Sequence, residues 1–188
     1  SKNILAETKA SYKTISKIGG IILLKKVLND NQDIITSFKS NNNSYQFSNE
    51  IYKTLSQLKS CQLGCEELLN YKCDIKQLEK KINDLGNILQ LYTDAKTGVL
   101  DNSDTLTLTC MMLDKSELVK DSYFIFSGFD DFTSQGYNLI ERLMMYAKGV
   151  YVNTYFSSGF NKNIYYQDVL YRLTSICDII GAKVNILN

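Results

Sequence analysis

The sequence contains no histidine, no proline and no tryptophan. Without histidine, Ser-His and Cys-His nucleophile systems and the usual proton shuttle near neutral pH are excluded. We expect no signal peptide, and no apolar run in the 188 residues approaches the ~20 residues of a membrane span. The net charge is only +1, so the overall charge does not indicate a nucleic-acid-binding protein. The expectation is a cytoplasmic globular protein without a membrane partner. Because the chain begins at Ser1 without methionine, we also expect a piece of a longer protein.

The cysteines are odd in number, and their spacing does not suit a metal site. The run Cys61-x3-Cys65-x7-Cys73 lacks the paired CxxC spacing of zinc ligands, and Cys110 and Cys177 stand alone. We therefore predict free, reduced thiols, mostly in the core, and no metal ligands. A metal site is the less favoured alternative.

Positive charge is concentrated near the start of the chain. Residues 1–29 contain six lysines and one acid, Glu7, for a local charge of +5. Such a basic face is suited to phosphate contact, and the alternative is a solvated helix face. The six lysines are Lys2, Lys9, Lys13, Lys17, Lys25 and Lys26.

The first two thirds of the chain are predicted to be helical. Residues 12–29 have helical apolar spacing interrupted by Gly19-Gly20. Either the helix starts after this pair, or the pair lets another backbone come close. A helix capped by Ser48 and a short helix over residues 66–71 should follow.

The clearest element is a helix predicted over residues 74–95, with Asp74 as its N-cap. Its apolar residues follow strict 3-4 spacing and form a narrow seam. We interpret the seam as the inside of a helix bundle, with a coiled-coil dimer as the alternative. Residues 104–113 could form a strand by their alternation or a helix by their second half, and we favour a helix that starts near Ser103. The seam consists of Ile75, Leu78, Ile82, Leu85, Leu89 and Tyr92.

From residue 121 the pattern changes to β-α-β-α-β. We predict a buried strand over 122–126, a helix over 133–148, a strand over 149–156, a helix over 164–180 ended by Gly181, and a strand over 183–187. Short connections favour a parallel sheet with right-handed crossovers. Such sheets are covered on both faces, so further strands should come from outside the chain or from its first residues.

The end of the first of these strands carries unusual residues for a nucleotide enzyme. Ligands of doubly wound folds sit at the carboxyl ends of parallel strands, where a nucleotide hydrolase would place an Asp for magnesium and a Glu for water. Ser127 and Gly128 occupy that place here, and neither residue can hold magnesium or orient the attacking water. Asp130 and Asp131 follow the turn and should face solvent or cap the next helix. Metal ligation by these two acids is the less favoured alternative.

The segment FIFSGFDDFTSQGYNLIERLM resembles the pattern Y-V-D-G/E-F-x-x-F-T-P-Q-E of the AddB family, the B subunits of AddAB (RexAB) ATP-dependent helicase-nucleases. Upstream, ISKIGGIILLKKVL resembles that family's S-x-x-G-x-x-x-L-L-R-K-L helix, and LSQLKSCQLGCEELLN resembles its E-F-K-R-Y-x-L-x-P-E-x-L segment. LEKKINDLGNILQLYTDA, with Leu100 to Leu106 after it, resembles its long helix followed by Y-x-D-x-E-D-x-L. The order and spacing agree over residues 14–156.

The resemblance implies the architecture of a superfamily-one helicase of the UvrD and Rep type. Residues 1–118 would be a helical insert (1B-like) domain, and residues 119–188 part of a RecA-like α/β domain. The whole chain would be a mostly helical α/β fold. The family's ATP-binding loop would lie upstream and its iron–sulfur nuclease domain far downstream, so no ATP, magnesium or cluster ligands are assigned within this chain.

The chain also departs from the family pattern. Ser127 replaces the usual Asp, Gly128 stands where working helicases have Glu, and Ser134 and Gly136 replace a Pro and a Glu in the next helix. The resemblance therefore implies a degenerate Walker B-like position and no catalytic residues.

Together these features predict a non-catalytic part of a helicase–nuclease B subunit that acts in double-strand-break processing and recombinational repair. Its partners would be DNA and the A subunit, and the DNA contacts are assigned to Lys13, Lys17, Lys25 and Lys26. One alternative is a piece of an active helicase that depends on Asp130 or Asp131. The other is a structural module that docks a partner through the 75–92 seam.

Overall fold

The computed structural model describes residues 2–7, 12–38, 44–153 and 164–183. The chain is mostly helical with a few short parallel strands, which confirms the predicted fold class at that level. The helices are α1 (Lys2–Glu7), α2 (Lys17–Asp30), α3 (Tyr45–Ser60), α4 (Cys65–Leu69), α5 (Lys76–Ala95), α6 (Asn102–Met111), α7 (Glu117–Lys120), α8 (Ser134–Tyr146) and α9 (Ile164–Ile180), with a 3-10 turn at Leu113–Lys115. The strands are β1 (Lys13–Thr14), β2 (Val99–Leu100), β3 (Tyr123–Ser127) and β4 (Gly149–Asn153).

The chain folds as two compact units. The helical unit is Ser11–Thr105, and the sheet unit combines Ser1–Ala10 with Leu106–Asn188. The boundary between them falls inside α6. The family resemblance predicts a helical insert domain over residues 1–118 and part of a RecA-like domain over residues 119–188. This assignment stays a prediction.

The helical unit is built around α2, α3 and α5. These helices share one apolar core because each presents a buried stripe at helical spacing. β1 and β2 form a short parallel pair in which Lys13 lies opposite Val99 and Thr14 opposite Leu100. The buried residues of this core are Ile21, Leu24, Leu28, Ile35, Ile51, Tyr52, Leu55, Leu68, Ile88, Leu89 and Tyr92.

The glycine pair lies in the first turn of α2, so the prediction that the helix starts after it was wrong. Ser16 is the N-cap, and its hydroxyl accepts a hydrogen bond from the Gly19 amide at 3.1 Å. A Cβ on Gly20 would lie 2.7 Å from the Tyr52 ring and 2.8 Å from the Tyr92 hydroxyl. Gly20 therefore admits two aromatic side chains rather than another backbone, whereas a Cβ on Gly19 would meet Ile15 and Ser16 just before the helix.

Two predicted helix caps were also wrong. α3 begins at Tyr45 with Ser44 as N-cap, and Ser48 is buried inside the helix, where its hydroxyl donates to the Ser44 carbonyl at 3.1 Å. α5 begins at Lys76, and its N-cap is Ile75 rather than the predicted Asp74. In the described part of the chain, no side chain accepts a hydrogen bond from the first turn of this helix as a cap. Small polar residues hydrogen-bond the backbone at caps and within helices alike.

The seam of α5 is buried at one end only. Leu89 is 3% and Tyr92 1% exposed, whereas Ile75 is 63% and Leu78 41% exposed. The predicted internal position in a bundle therefore holds for the C-terminal part of the seam. Its first turn faces solvent.

The sheet unit follows the predicted strand-helix-strand-helix order. β3 and β4 are parallel and in register from Tyr123 opposite Gly149 to Ser127 opposite Asn153, with α8 between them in the chain. Thr133 caps α8 by accepting from the Gly136 amide at 3.2 Å. α9 ends as predicted at Gly181, whose φ of +68° is the left-handed conformation that glycine favours. The predicted last strand falls almost entirely outside the described residues.

One face of the β3–β4 pair packs on the core and the other is exposed. Phe124 and Phe126 point inward, whereas Ile125 is 74% and Tyr123 57% exposed, so the prediction of a buried strand was right for one face only. The cross-strand neighbour Tyr151 is 54% exposed as well.

Residues 2–7, the described part of the chain's start, add no strand to the β3–β4 sheet, contrary to one of the two predicted sources. They form helix α1, whose Ile4 packs with Leu113, Val119 and Leu143 in the core of the sheet unit. Glu7 of this helix accepts hydrogen bonds from the Ser116 hydroxyl and, at 3.1 Å, from the Leu118 amide at the start of α7. The hydrogen bond from Ser116 lowers the pKa of the Glu7 carboxyl.

Candidate nucleic-acid interface

The four lysines assigned to DNA contact all belong to the helical unit. Lys13 lies on β1, Lys17 in the first turn of α2, and Lys25 and Lys26 in its second half. Lys13, Lys17 and Lys26 are exposed, and Lys25 is half-buried. Across the described residues none of the four forms an ion pair or a side-chain hydrogen bond, so their charges are available to a ligand. The side chain of Lys2 and the whole of Lys9 lie outside the described residues.

The lysines of α2 do not share one face of the helix. At about 100° per residue, Lys26 lies opposite the buried arc, whereas half-buried Lys25 lies at the flank of the helix. Lys17 lies near the buried arc, but at the helix end, roughly 13 Å along the axis from Lys26. The predicted basic face of α2 is therefore better described as three separate positions: Lys26 on the outward side, Lys25 on the flank and Lys17 at the helix start.

Two isoleucines are exposed on the outward side of α2. Ile18 is 62% and Ile22 60% exposed, one turn apart and followed by Lys26 one turn later. The outward side of α2 is thus a mixed apolar and basic stripe.

Lys17 lines a cavity of the helical unit. This cavity has a volume of about 370 Å³. It lies where β1 leads into α2 and β2 leads into α6, with α3 as its remaining wall. We call it the Lys17 pocket, and its lining residues are Lys17, Tyr52, Lys53, Ser56, Gln57, Asp101, Asn102 and Ser103.

Beside this pocket lies a group of four charged side chains, two buried and two half-buried, that no sequence pattern predicts. One oxygen of Asp101 accepts from Lys59 at 2.7 Å and from Lys96 at 2.9 Å, and its other oxygen accepts from the Asp104 amide at 3.1 Å. Asp104 in turn pairs with Lys96 and, at 2.5 Å, with Lys59. Asp101 and Lys96 are 6% and 5% exposed. The partners Lys59 and Asp101 are 42 residues apart, too far for any local pattern to link them.

The two lysines keep Asp101 ionised in spite of its burial. Burial alone would raise the pKa of this carboxyl, but hydrogen bonds from Lys59 and Lys96 lower it to about 2. Burial likewise opposes the charge of Lys96, yet its bonds to Asp104 and Asp101 raise its pKa overall. The four charges balance, so the group fixes the start of α6 without adding net charge.

At the carboxyl ends of β3 and β4 the structure places Ser127 directly opposite Asn153. Both side chains are neutral and exposed. Gly128 then turns the chain with a φ of +79°, a conformation costly for residues with a Cβ. Around this turn stand Phe126, Phe129 and Phe132, with the last two rings stacked at 5.1 Å.

The two acids after the turn differ in their contacts. Asp131 accepts hydrogen bonds from the Phe132 amide at 2.7 Å and from the Tyr137 hydroxyl at 2.9 Å. Burial of Tyr137 and its bond to Asp131 raise the pKa of the phenol. Asp130 is exposed. The groups at this strand end are thus a hydroxyl, an amide and aromatic rings, with one carboxylate, Asp131, that accepts from the neighbouring Phe132 amide and from Tyr137 of α8.

The described residues contain no group of three or more His, Cys, Asp or Glu side chains placed to hold a metal ion. Cys61 is exposed, Cys65 and Cys73 are half-buried, and Cys110 and Cys177 are buried, all as free thiols. Burial raises the pKa of the Cys65, Cys110 and Cys177 thiols, which makes them less reactive. Across the same part of the chain, no helix is both long and apolar enough to cross a bilayer.

Comparison with known proteins gives a consistent family assignment. A family model described as "ADDB, N-terminal" matches residues 1–179. Similar curated proteins from three bacteria are each named as the B subunit of an ATP-dependent helicase/deoxyribonuclease. The relative from Clostridium kluyveri (strain NBRC 12016) is 30% identical over 135 residues, 70% of this chain and 12% of that protein. Those from Lachnoclostridium phytofermentans and Listeria welshimeri are 29% identical over 138 residues and 28% over 144, or 71% and 75% of this chain and 12% of each relative.

The chain therefore spans only about an eighth of the length of these relatives. The family match nevertheless covers nearly all of it. The resemblance found in the sequence motifs is confirmed, and this chain belongs to the AddB N-terminal family.

Proposed function

We propose that this chain is a non-catalytic, DNA-contacting part of a helicase–nuclease B subunit that acts in double-strand-break processing and recombinational repair. Its helical unit would correspond to the insert domain and its sheet unit to part of a RecA-like motor domain. The observation that carries the DNA role is the set of unpaired lysines on β1 and α2 in a chain of this family. Unpaired lysines exchange condensed counterions for phosphates, which is the main source of affinity for DNA.

The strand end supports the non-catalytic part of the proposal. A magnesium site for ATP hydrolysis needs a carboxylate there, whereas Ser127 and Asn153 offer a hydroxyl and an amide. One oxygen of Asp131, Oδ1, accepts from both the Phe132 amide and the Tyr137 hydroxyl, which holds this carboxylate against α8. In this proposal the ATP, magnesium and iron–sulfur cluster of the parent protein are held by other segments.

A partner protein fits the exposed start of the α5 seam. Ile75 and Leu78 are apolar and exposed although they continue the stripe that is buried at Leu89. We propose that this end of the seam contributes to contact with the A subunit. The seam would then serve both the internal core and docking.

The DNA role is tested by titrating labelled DNA with the chain at several salt concentrations. A variant with the four candidate lysines changed to alanine should bind at least tenfold more weakly at low salt. Its log–log salt slope should fall by about 3, since each phosphate contact contributes ~0.7–0.9. The replaced residues are Lys13, Lys17, Lys25 and Lys26.

The matched control replaces four other lysines of the helical unit, which changes net charge by the same amount. These are Lys72, Lys76, Lys80 and Lys81, of which Lys72 and Lys76 are 73% and 83% exposed. The control should bind DNA nearly as well as the unchanged chain. No binding at low salt, salt-independent binding, or equal losses in both variants would remove the proposed role.

A further inference from the structure

We infer that the exposed isoleucines of α2 bind the bases of single-stranded DNA, an inference that rests on the proposed DNA-contacting function. Lysines attract any nucleic acid through its phosphates, whereas an apolar side chain gains only from contact with another apolar surface. Ile18 and Ile22 thus add a preference for unpaired strands, whose base faces are open, over duplex DNA, whose base faces are stacked. We call Ile18, Ile22 and Lys26 the α2 stripe.

The α2 stripe runs along the side of the helix that faces away from the core. Its members follow one another at four-residue spacing, so their side chains lie one above another about 6 Å apart. Ile18 is 62% and Ile22 60% exposed. Two exposed branched aliphatic side chains on successive turns form an apolar surface, and a ligand that covers this surface removes it from water.

A third isoleucine adds to the apolar end of the helix. Ile15 precedes α2 and is half-buried, and its Cγ1 would lie 3.0 Å from a Cβ on Gly19. Because Gly19 has no side chain, Ile15 lies against the first turn of α2, the turn that also carries Ile18. The apolar surface at the start of α2 is therefore broader than one side chain, which suits a planar base.

The charge of this region favours a polyanion as the ligand. Residues 13–29 contain four lysines and no acid, and the first acid, Asp30, comes at the end of α2. Lys26 continues the stripe and Lys25 lies at its flank, and among the described residues neither forms an ion pair. A second copy of the chain would place lysines opposite lysines, so the charge disfavours self-association through this face.

The isoleucines suit the faces of unpaired bases better than the base edges of a duplex. Each groove of a duplex presents hydrogen-bonding groups, and burying these groups against isoleucine leaves them unsatisfied. The face of an unpaired base has no such groups and can pack on an aliphatic side chain without losing a hydrogen bond. Unpaired bases therefore pack on Ile18 and Ile22, and neighbouring phosphates of the same strand meet Lys25 and Lys26.

The test compares a labelled oligo(dT) strand with a hairpin duplex that has the same number of phosphates. Ile18→Ser combined with Ile22→Ser should weaken strand binding about fivefold and duplex binding less than about twofold, because only the strand loses apolar contact. The salt slope should not change, since the charges are the same. The matched control changes Ile34 and Leu63 of the same unit, which are 49% and 39% exposed, to serine and should bind both ligands like the unchanged chain.

An abasic strand of equal length separates base contact from an effect on folding. It keeps the phosphates and sugars but lacks the bases, so the unchanged chain and the isoleucine variant should bind it equally. An isoleucine variant that loses no affinity for oligo(dT), or loses as much for the duplex or the abasic strand, would overturn the inference. The DNA role would still stand if the lysine-to-alanine variant lost affinity. An unchanged chain that binds no DNA at low salt would instead overturn the proposed function and this inference with it.

Discussion

At the scale of single residues, the buried charges of the helical unit decide how the chain responds to acid. Asp101 is held ionised by Lys59 and Lys96, which lowers its pKa to about 2. A carboxyl group whose pKa is lower in the folded than in the unfolded chain stabilises the fold above its unfolded pKa. That stabilisation is lost as the pH falls through the folded pKa.

We therefore predict that Asp101→Asn removes a pH-dependent part of the stability. The unchanged chain should be more stable than the variant at pH 5, and this difference should shrink by on the order of 2 kcal/mol between about pH 4 and pH 2. Urea unfolding at several pH values measures it. Asp33→Asn, at an exposed position of the same unit, is the control. A constant difference between Asp101→Asn and the unchanged chain down to pH 2 would contradict the prediction.

Single residues are also where sequence-based prediction fails most. Ser48 and Asp74 are good caps by residue type, but the helices begin at Tyr45 and Lys76, because tertiary packing rather than capping preference determines those ends. The function of Gly20 is visible only together with the two tyrosines that it admits. Asp101, Lys59 and Lys96 cannot be grouped from sequence, since their contacts depend on the fold.

At the scale of elements, prediction succeeds where periodicity is strong. The predicted bounds of α9 and its glycine end agree with the structure, and those of β3, α8 and β4 agree to within a few residues. Periodicity does not reveal how much of an element is covered. The run in β3 is apolar at every position from Tyr123 to Phe126, so the pattern alone cannot distinguish one buried face from two.

The seam of α5 gives a prediction at this scale. Leu89→Lys should lower the free energy of unfolding by about 3–5 kcal/mol, because a charge replaces a fully buried side chain. Leu78→Lys should change it by less than about 1 kcal/mol, since Leu78 is 41% exposed. Urea unfolding of both variants is the measurement.

The same two substitutions, Leu89→Lys and Leu78→Lys, distinguish the role of the seam in the core from its role in docking a partner. If the exposed end docks the A subunit, Leu78→Lys should weaken that association while the chain stays folded. Equal destabilisation by both substitutions would contradict the uneven burial from which the prediction starts.

At the scale of the whole molecule, one folded unit is built from two segments that are far apart in the chain. The first ten residues belong to the sheet unit, whose other residues begin at Leu106. Ile4 is 8% and Leu5 0% exposed, and Glu7 binds the start of α7. No signal in the sequence links segments so far apart, which is why sequence reasoning groups α1 with the helices that follow it.

We predict that deleting residues 1–10 destabilises the sheet unit selectively. Loss of two buried aliphatic side chains should cost about 3–6 kcal/mol. Hydrogen exchange should show faster exchange in β3 and α8, while α5 of the helical unit stays protected. Unchanged protection in β3, or equal loss in both units, would contradict the assignment of α1 to the sheet unit.

The exposed face of the β3–β4 pair affects the solubility of this protein. Ile125, Tyr123 and Tyr151 form an exposed apolar surface on a sheet of two strands, each with an unpaired edge in the described part of the chain. Unprotected edges beside apolar side chains template intermolecular strand pairing. Solubility, rather than folding, would then limit expression of the isolated chain, and charged substitutions at Ile125 are the natural remedy because that side chain supports no internal contact of the core clusters.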